Sequence, residues 1–362
     1  MCQLEGVMKR FTGARLEKSK ITILSVAQAA GVSVGTVSNV FSGRKTVNPE
    51  IRNRVQLAAQ DLHYSPDRVA ASLRSRRSRT IGLCIPDLGN PFFGDLLRQL
   101  NRVLENDGYR LLAVETREDG ALEPEKLAVL CANRVEGIFM VPTATWAGTP
   151  TDDIPVIVID RVREDEPLPS VCLDNAGAID AALAHLHALG HRSIWMVVNS
   201  TRLWNSQLRV SAFLAAADRL GMADRVEVLQ SGMAPQDMAI ALADHLQGTA
   251  PPTAILTASG TATLGTLRAL QDCGLSVPDD ISVLGFDDVV WMEVLRPSIS
   301  VVRQPITAMA AQAWMMMQTL MVDGALTERH VRLPATLVQR DSTCRVIAEP
   351  VILINERKVA HV

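Results

Sequence analysis

Short apolar runs that alternate with helical stretches constrain the fold of this chain more than any other feature. From Thr80 onward the runs are IGLCI at 81–85, RLLAV at 110–114, GIFMV at 137–141 and VIVID at 156–160, and helical stretches such as 92–106 and 123–132 lie between them. Strands that are buried on both faces of a parallel sheet read as continuous apolar runs. The alternation therefore predicts an α/β lobe built on a doubly wound parallel sheet.

The same alternation restarts after Asp174-Asn175 and predicts a second lobe of the same kind. It indicates a helix at 176–189, a strand at 193–198, a helix at about 206–220, and strands near 226–229, 254–257 and 282–286. In such sheets ligands bind outside the carboxyl ends of the strands. We therefore expect a binding cleft between two lobes, lined by residues that directly follow strands.

Residues 22–41, TILSVAQAAGVSVGTVSNVF, predict two short helices joined by a tight turn. Gly31 suits the left-handed conformation that ends a helix, and Ser33 suits the N-cap of the next one. Two short helices at a steep angle form the unit that places its second helix in a DNA major groove. An ordinary αα-hairpin of a helical domain is the alternative interpretation of this segment alone.

A third helix and a basic segment follow. Asn48-Pro49-Glu50 combines an N-cap, a proline at the first helical position and an acid in the first turn, which predicts a helix to about Leu62. Residues 67–74 then form a short piece with helical potential, and they lead into the arginine-rich stretch 75–79.

Three runs in this order resemble the lactose-repressor (LacI/GalR) family of bacterial transcriptional regulators: ITILSVAQAAGVSVGTVSNVFSG, VNPEIRNRVQLAAQDLHYSP and RVAASLRSRRSRTIGLCIPDLGNPFF. The likeness covers roughly residues 21–343. It implies an α/β protein in which an N-terminal three-helix helix-turn-helix domain precedes a periplasmic-binding-protein-like core of two doubly wound parallel-sheet subdomains.

The resemblance and the patterns together predict the domain limits. The predicted regions are a disordered extension at 1–20, a helix-turn-helix domain at 21–66, a hinge helix and linker at 67–79, a core at 80–343 and a tail at 344–362. Within the core we expect one subdomain at about 80–173 with 304–331, and the other at about 174–303 with 332–343.

Charge is segregated along the chain. Residues 1–80 hold 14 Lys and Arg against 5 Asp and Glu, a net charge of +9, whereas the remaining residues have a net charge of -12. A basic module joined to an acidic body is typical of a protein that binds a polyanion such as DNA. Simple solvation of charged faces is the alternative, but it does not predict segregation by domain.

The remaining composition indicates a cytoplasmic protein. The six cysteines are scattered without a C-x-x-C pair, which favours reduced packing residues. Residues 1–20 mix Lys, Arg and Glu without the apolar centre of a secretory signal. Apolar runs fall short of the roughly 20 residues that cross a bilayer, so we expect no membrane partner.

The amino end of the second helix is predicted to read base edges. The resemblance places Val34 and Gly35 at the two leading specificity positions, and neither side chain can form a hydrogen bond. Asn39 lies one turn further on and can pair bidentately with adenine, or else it is a solvent-facing polar residue. Hydroxyl side chains suited to phosphate contacts, each of which is otherwise a cap or turn residue, are Thr22, Ser33, Thr36, Ser38 and Thr46.

The hinge carries the second expected DNA contact. In the family this segment folds on operator DNA and inserts a leucine into the minor groove; Leu73 holds that position here, with Ala70 beside it and Arg68 placed to contact phosphate. This chain has Asp67 where the family commonly has asparagine, which puts close backbone contact in doubt. A basic tether without DNA contacts is the alternative.

Polar and aromatic residues that follow strands match family positions lining the effector pocket. They are Asp87, Asn90, Phe92, Phe93, Asp160, Arg161, Arg209 and Asp287. Carboxylates, an arginine and an aromatic face together suit a polyol, although Asp160 and Asp287 are alternatively caps or loop ion pairs. Trp204 and Trp291 are candidate stacking platforms or ordinary packing residues. Where the family usually has Asn-Asp, this chain has Ser259-Gly260, and Ser259 remains a candidate contact.

Motifs for catalysis and metal binding are weak. The G-x-S-x-G spelled by residues 31–35 lies in a helix-to-helix turn, and in the cluster His185, His187 and His191 only the last two have metal-ligand spacing, with Gly190 between them. We therefore predict that the protein is not an enzyme and that it has no catalytic residue, no metal and no cofactor.

The sequence and the resemblance together predict a ligand-responsive transcriptional repressor that binds a palindromic operator as a homodimer, with a sugar or sugar derivative in the cleft. The apolar run 306–321, with Met309, Trp314, Met315, Met316 and Met317, is a candidate dimer face or is buried within the first lobe. A solute-binding sensor of the same fold is the alternative function. The sequence leaves the ligand open among sugars, sugar acids and purines, and it leaves the operator open.

Overall fold

The computed structural model describes residues 21–42, 46–64, 78–146, 148 and 154–346. The chain divides into two compact units, residues 1–78 and 79–362, and each is described by itself. We call residues 21–64 the head and residues 79–346 the core. The predicted extension, the hinge residues Arg68, Ala70 and Leu73, and residues 347–362 of the tail lie outside the described residues.

Three helices form the head: α1 (Ile23–Ala30), α2 (Val34–Ser42) and α3 (Pro49–Asp61). Gly31 has φ 62°, and its left-handed conformation ends α1 as predicted. The Ser33 hydroxyl accepts a hydrogen bond from the Thr36 amide at 3.1 Å, and Asn48 accepts one from the Glu50 amide at 2.8 Å. These caps place α1 and α2 at 105° to each other, within the range of a helix-turn-helix.

One small apolar cluster holds the three helices together. Its buried members are Val26, Ala27, Ala30, Val37, Val55 and Ala59. Helical residues spaced three or four apart share a face, and α1 contributes three of these residues, α3 two and α2 one. The Phe41 and Tyr64 rings, 5.9 Å apart between centroids, extend the cluster at one side.

The first lobe of the core is a six-stranded parallel sheet with helices on both faces. Its elements are β1 (Thr80–Ile85), α4 (Pro91–Asn106), β2 (Arg110–Glu115), α5 (Glu123–Ala132), β3 (Ile138–Met140), β4 (Val156–Ile159), β5 (Ser170–Leu173), α11 (Ile306–Asp323) and β11 (His330–Leu333). The strand order is β11-β5-β4-β3-β1-β2. Three of the four predicted apolar runs are the buried central strands β1, β3 and β4, and the fourth is the half-buried edge strand β2.

The second lobe repeats the architecture with one antiparallel edge. Its elements are α6 (Asn175–Ala188), β6 (Ile194–Val198), α7 (Trp204–Arg219), β7 (Val226–Gln230), α8 (Pro235–Gly248), β8 (Ala254–Thr257), α9 (Gly260–Asp272), β9 (Ser282–Phe286), α10 (Val290–Val294), β10 (Ser300–Arg303) and β12 (Thr336–Val338). The strand order is β12-β10-β9-β8-β6-β7, and only the β10–β12 pair is antiparallel.

The chain crosses between the lobes three times. The crossings follow β5, β10 and β11, so each lobe contains segments that are distant in sequence. The predicted return to the second subdomain between residues 331 and 332 falls inside β11, and the crossing instead follows Leu333. The HVRL strand alternates exposed and half-buried positions at a sheet edge, and this gives it a weak sequence signal.

Helix α11 resolves the two interpretations of the methionine-rich run. Met309, Trp314, Met316 and Met317 are buried in the first-lobe core, against α4, and only Met315 of the five named residues is exposed. The Trp314 indole also donates to Asp107 at 2.6 Å. Burial in the first lobe thus replaces the dimer-face interpretation for most of this helix.

The described helices were also compared with the length and apolarity of a membrane span. No single described helix meets that requirement; α1 and α2 meet it only as a pair bent by 105°.

Candidate functional site

A cavity lies between the two lobes of the core, and its empty volume is about 520 Å³ when the space open to solvent is included. Residues at the carboxyl ends of β1, β2 and β4 form its first-lobe wall, and residues that follow β6, β8 and β9 or belong to α7 form its second-lobe wall. This is the crevice where doubly wound sheets expose backbone ends and polar side chains. The geometry agrees with the cleft that the strand pattern predicts.

Asp160 and Asp287 occupy equivalent positions on opposite walls. Each directly follows the last residue of a strand, Asp160 after β4 and Asp287 after β9. Both have left-handed φ angles, 67° and 63°. A non-glycine residue in this conformation carries a strain of about 1–3 kcal/mol, and such strain clusters at functional sites. The two carboxylates are buried, with 3% and 7% of their surfaces exposed.

The hydrogen bonds of these two carboxylates differ. Asp287 accepts from the Gly260 amide at 3.1 Å and from Gln304 at 2.7 Å, so both oxygens are engaged. Among the described residues, Asp160 accepts from Asn205 alone, at 3.1 Å and on one oxygen. Burial raises the pKa of Asp160 although the positive charges of Arg209 and Arg161 oppose that effect.

Arg161 pairs with a carboxylate of its own lobe. Its two terminal nitrogens each donate to an oxygen of Glu118 at 2.7 Å, and one of them also donates to the Pro142 carbonyl at 3.2 Å. The guanidinium lies 5.5 Å from the ring centre of Phe93. Glu118 was not among the predicted site residues, because it follows the half-buried edge strand β2 and belongs to no apolar run.

Arg209 is held by neutral acceptors. Its Nε donates to the Asn175 amide oxygen at 2.7 Å, and one terminal nitrogen donates to the Ala258 carbonyl at 2.6 Å. The guanidinium lies 3.9 Å from the ring centre of Phe286, a contact that favours a cation. Burial lowers the pKa of Arg209, while Asp160 and Asp287 act in the opposite direction.

Four buried polar atoms of cavity residues have no hydrogen-bond partner within the described part of the chain. They are Asp160 Oδ1, Arg161 Nε, Arg209 Nη2 and Gln304 Oε1. Burying a polar atom without a partner costs about 1–3 kcal/mol, so clusters of such atoms are rare in folded proteins. Two of the four are donors and two are acceptors, and this is the composition that a polyhydroxylated ligand would satisfy.

Most of the predicted effector residues line this cavity. Those present are Asp87, Asn90, Phe92, Phe93, Asp160, Arg161, Arg209, Ser259 and Asp287. Sequence reasoning missed further lining residues from other loops and from the second crossing: Glu118, Asn199, Leu203, Asn205, Ser206, Met233, Ala258, Thr261 and Gln304. Asn199, Asn205 and Ser206 belong to a polar segment, residues 199–206, that directly follows the buried strand β6. Polar residues at the end of a buried strand are the sequence signal that could have identified this part of the set.

The two candidate tryptophan platforms do not line the cavity. Trp291 lines a separate groove with Leu264, Leu267 and Leu295. Trp204 begins α7, and its ring faces the guanidinium of Arg163 at 5.9 Å. The apolar faces of the cavity are instead provided by phenylalanine side chains of α4.

Ser259 reaches the cavity but is already engaged. Its hydroxyl caps α9 by accepting from the Ala262 amide at 3.1 Å, and it donates to the Asn199 side chain. Asn90 has the corresponding role on the first lobe, where it accepts from the Phe92 amide at 3.1 Å and caps α4. Both residues therefore fix the helix ends that face the cavity.

In the head, the predicted base-reading surface is the amino end of α2. Gly35 is exposed, Asn39 is half-buried, and Val34 packs partly against the apolar cluster of the head. Ser33 and Thr36 share a hydrogen bond of 2.9 Å between their hydroxyls, and Thr22 contacts Ser25 in a capping box. These hydroxyls lie at helix starts, where backbone amides are also directed outward.

The clustered histidines have structural partners. The His191 ring nitrogens lie 3.0 Å from the Thr253 hydroxyl and 3.1 Å from the Cys344 carbonyl oxygen, and His185 Nε2 lies 3.2 Å from the Thr343 hydroxyl. Within the described ranges, no group of three or more His, Cys, Asp or Glu side chains could hold a metal ion.

Two known sequence families match this chain. Residues 22–67 match the family described as bacterial regulatory proteins, lacI family, and residues 183–343 match the periplasmic binding protein-like domain. The transcriptional regulator PtxS of Pseudomonas plecoglossicida is 31% identical over 332 residues, 90% of this chain and 96% of the relative. The ribose operon repressor of Bacillus subtilis is 32% identical over 329 residues, 89% of this chain and 98% of the relative.

A solved structure gives the same architecture. The lac repressor dimer bound to operator and the anti-inducer ONPF superimposes with a TM-score of 0.78 at 24% identity, covering 90% of this chain and 99% of that one. The named relatives are transcriptional regulators and not enzymes. Identity of this extent along nearly the whole chain establishes that the protein belongs to the LacI family of bacterial transcriptional regulators.

Proposed function

We propose that this regulator is a homodimeric repressor that binds a palindromic operator and responds to a neutral sugar in the cleft between its core lobes. The observation that carries the proposal is the set of four buried, unpartnered atoms around that cleft. Two donors and two acceptors on facing walls match the alternating hydroxyl groups of a sugar, each of which both donates and accepts. A purely apolar ligand would leave all four unsatisfied.

The charge balance of the cavity favours a neutral ligand over an acidic one. Four lining carboxylates, Asp87, Glu118, Asp160 and Asp287, stand against two guanidinium groups, Arg161 and Arg209. A cavity wall with an excess of negative charge, partly shielded from water, disfavours a ligand that carries a carboxylate or a phosphate. Among the relatives, the repressor of Bacillus subtilis is named for a ribose operon, which supports the same ligand class.

The cavity also offers apolar contact. Phe92 and Phe93 are almost fully buried, and both line the first-lobe wall. Sugar rings carry an apolar face of C–H groups beside their hydroxyls, and sites for such ligands combine aromatic contact with a few polar groups. The arrangement therefore supports a ring-shaped sugar more than a linear polyamine or a flat purine, which would need a stacking platform on both faces.

The head is proposed to read operator DNA through α2. Exposed Gly35 allows a close approach of the helix end to the bases, and Asn39 on the same helical face is placed to pair with adenine. The hydroxyls of Ser33 and Thr36 and the amides at the start of α2 suit phosphate contacts. We propose the same DNA-contacting role for Thr22, Val34, Ser38, Thr46 and the hinge residues Arg68, Ala70 and Leu73.

A groove on the second lobe is proposed as part of the dimer contact. It runs between α9 and α10, and several large apolar side chains around it are exposed: Leu264 (46%), Val290 (80%), Val294 (67%) and Leu295 (38%). Exposed apolar patches on soluble proteins commonly mark interfaces, and a two-fold dimer buries the same patch on both subunits. The lac repressor structure, which was solved as a dimer on operator, supports this assembly.

Ligand control is proposed to act through the relative orientation of the two lobes. Because the cavity is lined by both lobes, a bound sugar favours the arrangement in which all its contacts are made. The three crossings are the only covalent links between the lobes in the described core, so they are the places where such a change occurs. Coupling is reciprocal: a sugar that weakens operator binding binds the operator complex less tightly.

The proposal is tested with the full chain. Electrophoretic mobility shifts with the DNA upstream of its own gene should show a dimer-sized complex that a random duplex does not compete away, with binding that weakens steeply as salt rises. A thermal-shift panel of sugars, sugar acids and nucleobases should contain a neutral sugar that raises the melting temperature. The same sugar should change the mobility shift. Absence of any preferred DNA site, or a panel in which only nucleobases stabilise the protein, would contradict the proposal.

The dimer contact has its own test. Leu264→Lys places a charge in the groove and should shift the sedimentation profile towards monomer while leaving the circular dichroism spectrum unchanged. Val322→Lys is the matched control, because Val322 is 81% exposed on α11 of the first lobe. A dimer that tolerates Leu264→Lys and is broken by Val322→Lys would place the contact elsewhere.

A further inference from the structure

We propose that Glu118 selects the charge class of the ligand by occupying the guanidinium fork of Arg161, and that its removal converts the cavity from a preference for neutral sugars to one for sugar acids. This inference rests on the proposed sugar-binding function. Glu118 lies outside the apolar strand pattern, and it accepts hydrogen bonds from Arg161 on the same wall of the cavity.

The pairing uses the part of arginine that recognises anions. A guanidinium binds a carboxylate or phosphate most strongly through two parallel N–H donors. In Arg161 both terminal nitrogens already donate to the two oxygens of Glu118 at 2.7 Å, and one also donates to the Pro142 carbonyl. Both hydrogens of Nη1 and one of Nη2 are thereby engaged. The second hydrogen of Nη2 remains, together with the N–H of Nε, which is buried and without a partner among the described residues, but both belong to a guanidinium whose charge Glu118 already compensates.

The donors of Arg209 are also partly engaged. Its Nε and one terminal nitrogen donate to Asn175 and to the Ala258 carbonyl, and its other terminal nitrogen has no partner among the described residues. In each cavity arginine one buried nitrogen is therefore left for a hydroxyl group of a ligand. A carboxylate offsets the loss of its hydration best at a guanidinium whose charge is not already paired, and the charge of Arg161 is paired with Glu118.

The position of Glu118 is fixed by the backbone and does not depend on the ion pair. Arg117 and Glu118 have φ angles of 55° and 57°, so two successive residues are left-handed without being glycine. The Glu118 amide donates to the Pro86 carbonyl at 2.9 Å, and the Thr116 amide donates to the Ile85 carbonyl at 3.0 Å. These bonds tie the loop to the end of β1, directly beside the cavity, and strain of this kind is retained where a side chain must be held in place.

The ion pair between Arg161 and Glu118 is largely buried, so the charge of each side chain affects how the cavity binds a charged ligand. The Arg161 side chain is 5% exposed and the Glu118 side chain 23%. At such a site charges are weakly screened by salt, so neutralising Arg161 removes most of its attraction for an anion. Asp87 also lines the cavity, but within the described part of the chain no hydrogen bond or ion pair joins it to Arg161.

The experiment compares sugars with their own aldonates by calorimetry on the full chain: D-ribose with D-ribonate, D-glucose with D-gluconate, D-galactose with D-galactonate, and cellobiose with cellobionate. Of the sugar–aldonate pair that binds, we expect the wild type to have the higher affinity for the neutral sugar. For Glu118→Gln, which keeps the side-chain size, we expect the ratio of affinities to shift towards the aldonate by at least about tenfold, as a free fork becomes available.

Two further variants separate charge from the freed fork. Asp87→Asn removes one negative charge from the cavity but leaves Arg161 paired, so the ratio should move by no more than about threefold. Adding Arg161→Gln to Glu118→Gln removes the fork and should restore the preference for the neutral sugar. Urea unfolding of each variant verifies that the fold persists.

The outcomes are distinct. If the wild type binds a neutral sugar and Glu118→Gln leaves the ratio unchanged, the role of Glu118 is overturned while the proposed function stands. If Asp87→Asn shifts the ratio as much as Glu118→Gln, net charge rather than the fork decides, and the inference is again overturned. A wild type that prefers the aldonate, or binds no member of any pair, overturns both the inference and the neutral-sugar assignment, whereas operator binding is measured independently.

Discussion

Arg161 on the first lobe and Arg209 on the second are almost equally buried, with 4% and 2% of their surfaces exposed, yet they are neutralised differently. Arg161 has a carboxylate partner in its own wall, whereas Arg209 is held by an amide oxygen and a backbone carbonyl. The opposing aspartates differ in the same manner: Asp287 is fully hydrogen-bonded and Asp160 is not. Each lobe thus contains one charged residue with strong partners, Arg161 or Asp287, and one with fewer, Asp160 or Arg209, so stability and recognition are divided within each lobe and not between the two.

The difference indicates where ligand-binding free energy originates. A charged group whose hydrogen bonds are complete stabilises the protein but gains little from a ligand, whereas one with an unpartnered atom gains a contact on binding. Asp287, Gln304 and the start of α9 form a structural connection between the second lobe and a crossing. Asp160 and Arg209 each keep an unpartnered polar atom to which a ligand can form a hydrogen bond.

The largest effect is expected from Arg209→Leu. The substitution leaves the Asn175 oxygen, the Ala258 carbonyl and the Asp160 carboxylate without their buried cation, which should lower the free energy of unfolding by about 3–5 kcal/mol and abolish sugar binding. Urea unfolding and calorimetry measure the two effects. Arg219→Leu on the same helix removes only an exposed pair with Asp180 and should cost less than about 1 kcal/mol. Similar losses for both variants would show that the buried position of Arg209 in the cleft gives it no special role.

Asparagine substitutions at Asp287 and Asp160 should separate stability from affinity. Asp287→Asn weakens the bonds from the Gly260 amide and Gln304, and we expect it to lower the free energy of unfolding by about 1–3 kcal/mol. Asp160→Asn removes a costly buried charge, so stability should hardly fall while sugar affinity falls about tenfold or more. Asparagine tolerates the left-handed backbone at both positions, which makes the comparison a fair one. The comparison fails if the two variants lose affinity and stability in the same proportion.

Two aspartates should give opposite pH dependences. Burial raises the pKa of Asp160, so the folded state holds its proton longer than the unfolded state, and stability falls as pH rises above the ordinary value of 3.8. For Asp288, burial is outweighed by hydrogen bonds from Arg340 and Arg303, which lower its pKa; its contribution is present above 3.8 and is lost as pH falls through the lowered value.

Unfolding in urea across the acidic range measures both contributions. Asp160→Asn should flatten the decline of stability with rising pH above 3.8, and Asp288→Asn should flatten the loss of stability below it. The control is Asp180→Asn, an exposed carboxylate whose ion pair with Arg219 is weakly stabilising. A wild-type profile that Asp160→Asn leaves unaltered would show that the pKa of this carboxyl group is the same in the folded and the unfolded protein.

The smallest effect is expected at Trp204. The indole lies beside Arg163 at 5.9 Å and does not line the cavity, so Trp204→Phe should change sugar affinity by less than about twofold. The indole N–H is buried without a partner among the described residues, so the free energy of unfolding should stay the same or rise slightly. A tenfold loss of affinity would instead make Trp204 the stacking platform that the sequence had suggested.

Much of the fold follows from local sequence signals. Gly31, Ser33 and Asn48 mark helix ends by backbone chemistry that acts within a few residues, and the structure confirms each role. The long buried strands were predicted because burial on both faces demands continuous apolar residues. Strands β5, β10, β11 and β12 were not, since three or four residues at an edge or a crossing give too little periodicity.

The sequence by itself determined a three-helix head, two α/β lobes and the strand-end aspartates of the cleft, because these depend on periodicity and on side chains adjacent to strands. Only the tertiary structure decided that Arg161 pairs with Glu118, 43 residues away, and that Gln304 joins Asp287 across a crossing. It also decided that Trp291 leaves the cleft and that the methionines of α11 are buried. Hydrogen bonds and packing between distant segments form only when the chain has folded, and no local pattern encodes which partner a charged side chain meets.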